Sequence, residues 1–491
     1  MYFYPCKFVR CCNFALLVSL CFLFASSNAL LAENYFVDDS AAASDDNPGT
    51  ASNLPLRTIR AALEKVQAGD NVIVRPGDYR DEDSGFGPGV IPVFKSGTVG
   101  NEIRIVGTGN ARVHSFLVQN CEYVRISGFR LMNEQFNEFQ GWQDMPAIVR
   151  DVPADPSNPI DFTQSYSQRQ NEIEAAFATY LNIIEELKYV TAIDIVNANH
   201  ITVVVNRIDG YWSGIQCRGC SNVTIAENNI SHCVNGIFAW EPAPGLTDSL
   251  IRENRVTQSL DTGIFIRRQS DNVRVVDNFV AFSGINHIAL DSGVTNSVVS
   301  GNNVLRGGYY SETMVFPGSS AISINGCSEG NRIVDNWASY QIDRTGIDGN
   351  GAIVDLMLDG HSVQVSGNFL LRNMGSGLNL TVSPNTVITN NCFVQNGFLS
   401  DVPRNGAGIK LSRNEDIDNV IVGNMFINNR ETGILSEMTI SQQLNVNFNF
   451  YQVPKGVPLI LDGNNQNLLS LESLLEVQIF TGWENSGVSN R

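Results

Sequence analysis

Asn206, Asn228, Asn254, Asn278, Asn302, Asn336, Asn368, Asn391, Asn424 and Asn449 each close a short apolar run, and six of the nine steps between them are 22 to 26 residues. The other three steps are 32 to 34. Around each asparagine one phrase recurs: a small residue, Ile or Leu, any residue, a second apolar residue, a turn, a β-rich run, and the Asn. "TGIFIRRQSDNVRVVDNFV" and "SGLNLTVSPNTVITNNCF" are two of its forms. A unit this short cannot bury its own apolar face, so successive units must stack. Alternation along each strand sends Ile and Leu inward and the intervening residues outward. A buried Asn at one fixed place in every unit can hydrogen-bond to the copies above and below it. The pattern therefore specifies a solenoid of β-strands. A leucine-rich horseshoe is excluded, because the LxxLxLxxN spacing is missing.

The beginning of the chain adds a cap. "NYFVDDSAAASDDNPGTASNLPLRTIRAALEKVQAGDNVIVRPGDYRD" gives a strand, an Asn-Pro-Gly-Thr turn, a helix from about Thr58 to Gln67, and a further strand. Ile59, Ala62, Leu63 and Val66 share one face of that helix, and Gly69 follows its end. Such a helix covers an open sheet edge that would otherwise invite aggregation. These segments, with "SGTVGNEIRIVGTGNARV" and "LESLLEVQIFTGWENSGVS", resemble secreted right-handed parallel β-helix proteins of the pectin-lyase-like kind. That group includes polysaccharide lyases and some glycosidases. The resemblance covers nearly the whole mature chain. It implies an all-β, right-handed parallel β-helix of about ten or more coils with an N-terminal capping helix. It implies no particular activity, since one fold hosts many functions. The Asn-Thr-Asp, Asp-Asp, Gly-His-Gly and Arg-Ile-Lys signature of polygalacturonases is absent, with "DGHS" at 359–362 a partial echo. The Arg-His-Gly turn of alginate and chondroitin lyases is absent too.

Residues 1–29 read as an export signal: Lys7 and Arg10, an apolar stretch from Phe14 to Phe24, and small residues before Ala29. No later segment has 18 uninterrupted apolar residues, so no membrane span is expected. The expected protein is secreted or periplasmic, a monomer, with one domain over 30–491. Within it, 133–189 is an insertion, where Ile173, Ala176, Phe177, Tyr180, Ile184 and Leu187 repeat at helical spacing. About 454–491 forms a C-terminal cap. Net charge goes from −18 to −20 as Lys7 and Arg10 leave with the signal. Such a field repels nucleic acid, and an anionic polymer would need a local cationic patch. Six cysteines remain, too few for a disulfide scaffold of this length. Cys217-Arg-Gly-Cys220 has no second pair to complete a metal site, and its disulfide state is open.

Aligning the units on their small-Ile-x-Ile strands gives two outward columns. The first reads Asp194, Gln216, Phe238, Phe265, Ala289, Ser323, Met357, Asn379, Lys410. The second reads Val196, Arg218, Trp240, Arg267, Asp291, Asn325, Asp359, Thr381, Ser412. "GAIVDLMLDGHS" allows two registers, and the one adopted keeps Asn368 in step. The second column mixes cations, an aromatic ring, an amide and carboxylates. Sugars stack on rings, uronate or sulfate groups take bidentate arginine, and carboxylates act as acid, base or calcium ligand. The longest insertions, 133–189, 306–320, 340–351 and 397–406, all precede these strands, and should wall one side of the columns. They add Tyr309 and Tyr310 as substrate contacts, and Asp343 and Asp348 as a calcium loop lacking a full ligand set.

The expected partner is an extracellular polysaccharide. In a lyase, calcium or arginine neutralises the sugar carboxylate, a base removes the C5 proton, and the 4-linked sugar leaves. Arg267, Lys410 and His287 are the candidate bases, though Lys410 lies five coils from Arg267, roughly 24 Å away. In a hydrolase, Asp291 and Asp359 would form the pair, two coils or about 9.6 Å apart, near the upper end for inverting enzymes. Arg218, Phe238, Trp240, Phe265, His287 and Asn325 would line the bound chain. The third reading is a non-catalytic glycan-binding or adhesin-type solenoid. Within the Arg267–Arg268 pair, Arg267 belongs to the column and Arg268 to the turn.

Overall fold

The computed structural model describes residues 32–81, 85–133, 190–240, 243–307, 320–326, 329–341, 355–357, 362–373, 375–381, 383–397, 406–412, 418–437, 444–463, 469–481, 484 and 486–490. The signal segment, the helical insertion, Tyr309, Tyr310, Asp343, Asp348 and Asp359 lie outside them.

Each coil supplies one strand to each of three long sheets, in a fixed order. Ser213–Arg218 lies in sheet one, Cys220–Ser221 and Thr224–Ala226 in sheet two, and Asn229–Ser231 in sheet three. Asn235–Trp240 then returns to sheet one and pairs in parallel with Ser213–Arg218. Sheets one and three hold 14 strands each and sheet two holds 15. Parallel strands joined this way form a right-handed parallel β-helix. Ile193, Ile215, Ile237, Ile264, Ile288 and Ile322 stack in register inside it, each at most 1% exposed. Burial of each such side chain stabilises the coil by about 1.5–3 kcal/mol.

The asparagine repeat sits at the corner between sheets two and three. Asn278 shows the rule: its backbone N–H and its Nδ2 both donate to Oδ1 of Asn302, at 2.9 and 3.0 Å. Its own Oδ1 accepts the same two bonds from Asn254. The ladder runs from Asn206 to Asn449, with every member at most 2% exposed. At its end the carboxylate of Glu484 accepts from Asn449 N, Asn449 Nδ2 and the Tyr451 hydroxyl.

The N-terminal helix spans Ile59–Lys65, with the Thr58 hydroxyl accepting from Ala61 N as its cap. It buries Ile59, Ala62 and Leu63 against the first strands. At the other end, the antiparallel pair Ile460–Asp462 with Leu469–Leu471 and a helix at Leu474–Thr481 close the solenoid. The long insertions 134–189, 308–319, 342–354 and 398–405 all leave a strand of sheet three and lead into one of sheet one.

The register corrects one coil. Asn325 pairs with Met357, and Met357 with Thr381, so Met357 belongs to the second column and Asp355 to the first. The aligned register is off by two residues there. Asp359 thus falls beyond the strand Asp355–Met357, and the proposed Asp291–Asp359 pairing loses its basis.

Candidate functional site

Sheet one carries the site on its outer face. Phe238, in the strand Asn235–Trp240, stands opposite Phe265 in the strand Ile264–Ile266, their rings stacked with centroids 5.4 Å apart. Trp240 packs on Phe238 at 4.8 Å. Phe238 is only 6% exposed, so it supports the other two rings and offers no free face to a ligand. The Arg267 guanidinium lies over both remaining rings, 5.1 Å from the centre of Trp240 and 4.9 Å from that of Phe265. Cation–π contacts of this kind are worth about 0.5–2 kcal/mol each and fix the direction of the fork. Arg267 Nε also sits 2.7 Å from Oδ2 of Asp291, an ion pair whose N–H is not aimed along a hydrogen bond.

The backbone beneath is held tightly. Ser270 Oγ donates to the Arg267 carbonyl at 2.6 Å, and a Cβ on Gly245 would meet that carbonyl oxygen at 2.8 Å. Arg268 adopts φ +59 and turns back, its guanidinium 5.5 Å from the centre of Trp240. The indole therefore meets both arginines, and Arg268 is part of the cluster rather than a bystander in the turn.

Asp261 is the residue that sequence reasoning missed. It stands three residues before Ile264, in step with Val234 and Ile285 on the neighbouring coils, at a position those coils keep apolar. Burial pushes its carboxyl above the usual range, offset by the Thr262 hydroxyl donating at 2.8 Å and by the charge of Arg267. A carboxylate in an apolar column is the signal that marks it. Asp261 and Asp291, one raised by burial and one paired to arginine, are two carboxyl groups around one cation.

Other expected residues separate from this cluster. Arg218 forms a bidentate pair with Asp194, Nε to Oδ1 at 3.1 Å and a second bond to Oδ2. Burial raises the Asp194 carboxyl, with Arg218 opposing. Asn325 is in register with Asp291 and half-buried. Lys410 is in the strand Ala407–Leu411, five strands along sheet one from Arg267, and lies 3.7 Å from Oε2 of Glu437. His287 is a correction: it is 0% exposed and points into the coil, where Nε2 donates to the Leu305 carbonyl at 2.9 Å. It reaches no ligand on the outer face and is excluded as base or substrate contact.

Among the described residues, no three His, Cys, Asp or Glu side chains converge as a metal site. Among them, too, no helix is long and apolar enough to cross a membrane.

A family model described as periplasmic copper-binding protein (NosD) matches residues 157–310, a minority of the chain. No curated protein matches it in sequence. A solved structure of XylC in complex with xylose aligns at a TM-score of 0.50 with 12% identity, covering 88% of this chain and 86% of that one. That likeness shows the fold. Lacto-N-biosidase from Eubacterium ramulus aligns at 0.41 with 12% identity, over 93% of this chain and 66% of its own length. The chain thus spans just under two thirds of that enzyme. The mannuronan C-5 epimerase AlgE4 A-module from Azotobacter vinelandii aligns at 0.43 with 12% identity, over 92% and 97% of the two chains.

Proposed function

We propose that this chain is an exported, monomeric, carbohydrate-active protein that cleaves an acidic extracellular polysaccharide by β-elimination. The observation that carries the reading is Arg267, held over Trp240 and Phe265 and paired with Asp291 beside the raised carboxyl of Asp261. Arginine stays charged in proteins, so Arg267 acts as the electrophile and not as the base. It takes the sugar carboxylate and acidifies the C5 proton. Asp291 accepts that proton, the C5–H electrons form the C4–C5 double bond, and the C4–O bond breaks. Asp261, whose carboxyl burial raises, supplies the proton to the departing oxygen. Trp240 and Phe265 hold the Arg267 guanidinium in place for that carboxylate. Calcium near Asp343 and Asp348 belongs to the proposal as an additional neutralising charge. The periplasmic description of the matching family agrees with an exported protein.

A second reading has support from the same two carboxyls: Asp261 as acid and Asp291 as base or nucleophile is the division of labour of a glycoside hydrolase. One assay separates the readings. The purified mature chain is incubated with pectate, alginate, glycosaminoglycans and neutral glycans, with calcium and with chelator. Ultraviolet absorbance of an unsaturated uronate means elimination, and new reducing ends without it mean hydrolysis. Asp261→Asn should lower turnover at least a hundredfold with little change in binding. Binding without any cleavage would leave the glycan-binding solenoid.

A further inference from the structure

All three corners of the solenoid use residues in the left-handed backbone region. Between sheets two and three, successive coils place Asp277, Gly301, Asp335, Gly367, Asn390 and Gly423 there, at φ between 56 and 71. Between sheets one and two they place Asn222, Asp248, Asn272, Asn296 and Gly330. That conformation favours Gly, Asn and Asp, yet on other coils Val205, Glu227, Glu253 and Phe448 adopt it at the first of these corners and Tyr123 and His200 at the second, at φ between 54 and 58. The third corner, which leads into sheet one, differs in its charge. His232, Gln258, Phe282, Arg306, Tyr340 and Arg372 occupy it on successive coils, at φ between 51 and 60. Gln395 and Asn428 continue the column.

The other two corners carry carboxylates at these positions, Glu227, Glu253, Asp277 and Asp335 at one and Asp248 and Asp418 at the other. The eight side chains are all partly exposed. None is acidic, in a chain with 50 acidic and 32 basic residues. Arg306 stacks over Phe282 at 6.0 Å, and Arg372 Nε donates to Gln395 Oε1 at 2.6 Å, so the column is ordered along its length. Arg306 and Arg372 are two coils apart, about 9.6 Å at strand spacing. Both lie along the axis between two cations of sheet one. Arg267 is on one coil, Arg306 leads into the coil two further on, Arg372 leads into the coil two beyond that, and Lys410 is on the next.

We propose that this corner is a binding track for an anionic glycan, with Arg306 and Arg372 pairing to its charged groups and Phe282 and Tyr340 stacking on its rings. The proposal rests on the acidic-glycan reading above and adds the path the polymer takes alongside the cleavage site. Its chemistry accepts carboxylate or sulfate esters alike, and arms with pectate, alginate and heparin separate those sources.

The test compares wild type with Arg306→Asn/Arg372→Asn, using affinity electrophoresis through gels containing each polymer or neutral dextran, at low and high salt. Asparagine suits the left-handed backbone, so thermal stability should hold or rise. Affinity for at least one anionic polymer should fall by about tenfold, and added salt should weaken the wild type more than the variant. Arg104→Asn, on sheet two, is the control and should bind as wild type. A double variant that binds like wild type, or one that loses stability, overturns the track. Equal wild-type affinity for single-stranded DNA overturns the glycan assignment. If wild type cleaves a polymer and the double variant cleaves and binds it equally well, only the track fails. If wild type neither binds nor cleaves any anionic polymer, the acidic-glycan reading fails and takes the track with it.

Discussion

His287 shows how one coil position decides whether a titratable side chain serves a site or the core. It stands just before the strand Ile288–Asp291, where strict alternation has not yet begun, so the sequence leaves its direction open. The structure turns it inward, and glycine at 307 makes the space: a Cβ there would lie 1.8 Å from Cε1 of the ring. Burial pushes its imidazole down to about 4. The unfolded ring titrates near 6.5, so protons bind the unfolded chain first as pH falls. A depressed group contributes stability that is complete above about pH 6.5 and is lost as pH drops towards 4, roughly 3 kcal/mol in all. Asp38, Asp78 and Asp271, whose carboxyls are lowered by their hydrogen bonds, lose theirs only at more acid pH. Asp194 and Asp261, raised by burial, act in the opposite sense but equally in both proteins compared. His287→Gln keeps an N–H for the Leu305 carbonyl and removes the titration. Between pH 7 and 4.5 its urea midpoint should fall less than that of the wild type, and parallel curves would remove the buried histidine as cause. Asp261 hides for the same positional reason, whereas Arg267 and Asp291 were legible because alternation fixes their column.

At the level of the coil, the asparagine ladder was readable from spacing alone, because only a stacked, hydrogen-bonded amide requires the same residue every 22 to 34 positions. The coil at 355–357 was not readable. Its apolar residues alternate, and a slip of two keeps every side chain on its own face, so inward and outward patterning cannot choose between registers. The end of the ladder was also hidden, since its cap is a glutamate 35 residues beyond Asn449. Glu484 is 0% exposed and holds the last three donors of the column. Glu484→Leu leaves the Asn449 N–H and the Tyr451 hydroxyl buried without acceptors, while Asn449 Nδ2 keeps only the Ile421 carbonyl, at a cost of about 2–4 kcal/mol. Because each coil contacts only its neighbours, the loss should stay local. Hydrogen exchange should quicken at Asn449 and Tyr451 and remain unchanged at Asn278. Uniform loss of protection along the solenoid would mean that the ladder transmits the change and the coils are not independent.

For the molecule as a whole, the solenoid converts sequence repeat into distance. Lys410 and Arg267 share the outer face of sheet one but stand five coils apart, roughly 24 Å, beyond the reach of one sugar. The spacing excludes Lys410 as the base for chemistry at Arg267 and leaves it a role in holding a polymer. Its ammonium is already near Glu437, at 3.7 Å with both side chains largely covered, so an incoming anion would exchange with that carboxylate. A chain long enough to touch both cations gains from Lys410, and a short oligomer bound at Arg267 does not. Lys410→Ala should therefore raise KM severalfold on polymer while leaving kcat on polymer, and both constants on short oligomers, close to wild type. A drop in kcat that is equal for polymer and oligomer would return Lys410 to the chemistry, and the assignment of the reacting centre to Arg267, Asp291 and Asp261 would then have to move along the sheet.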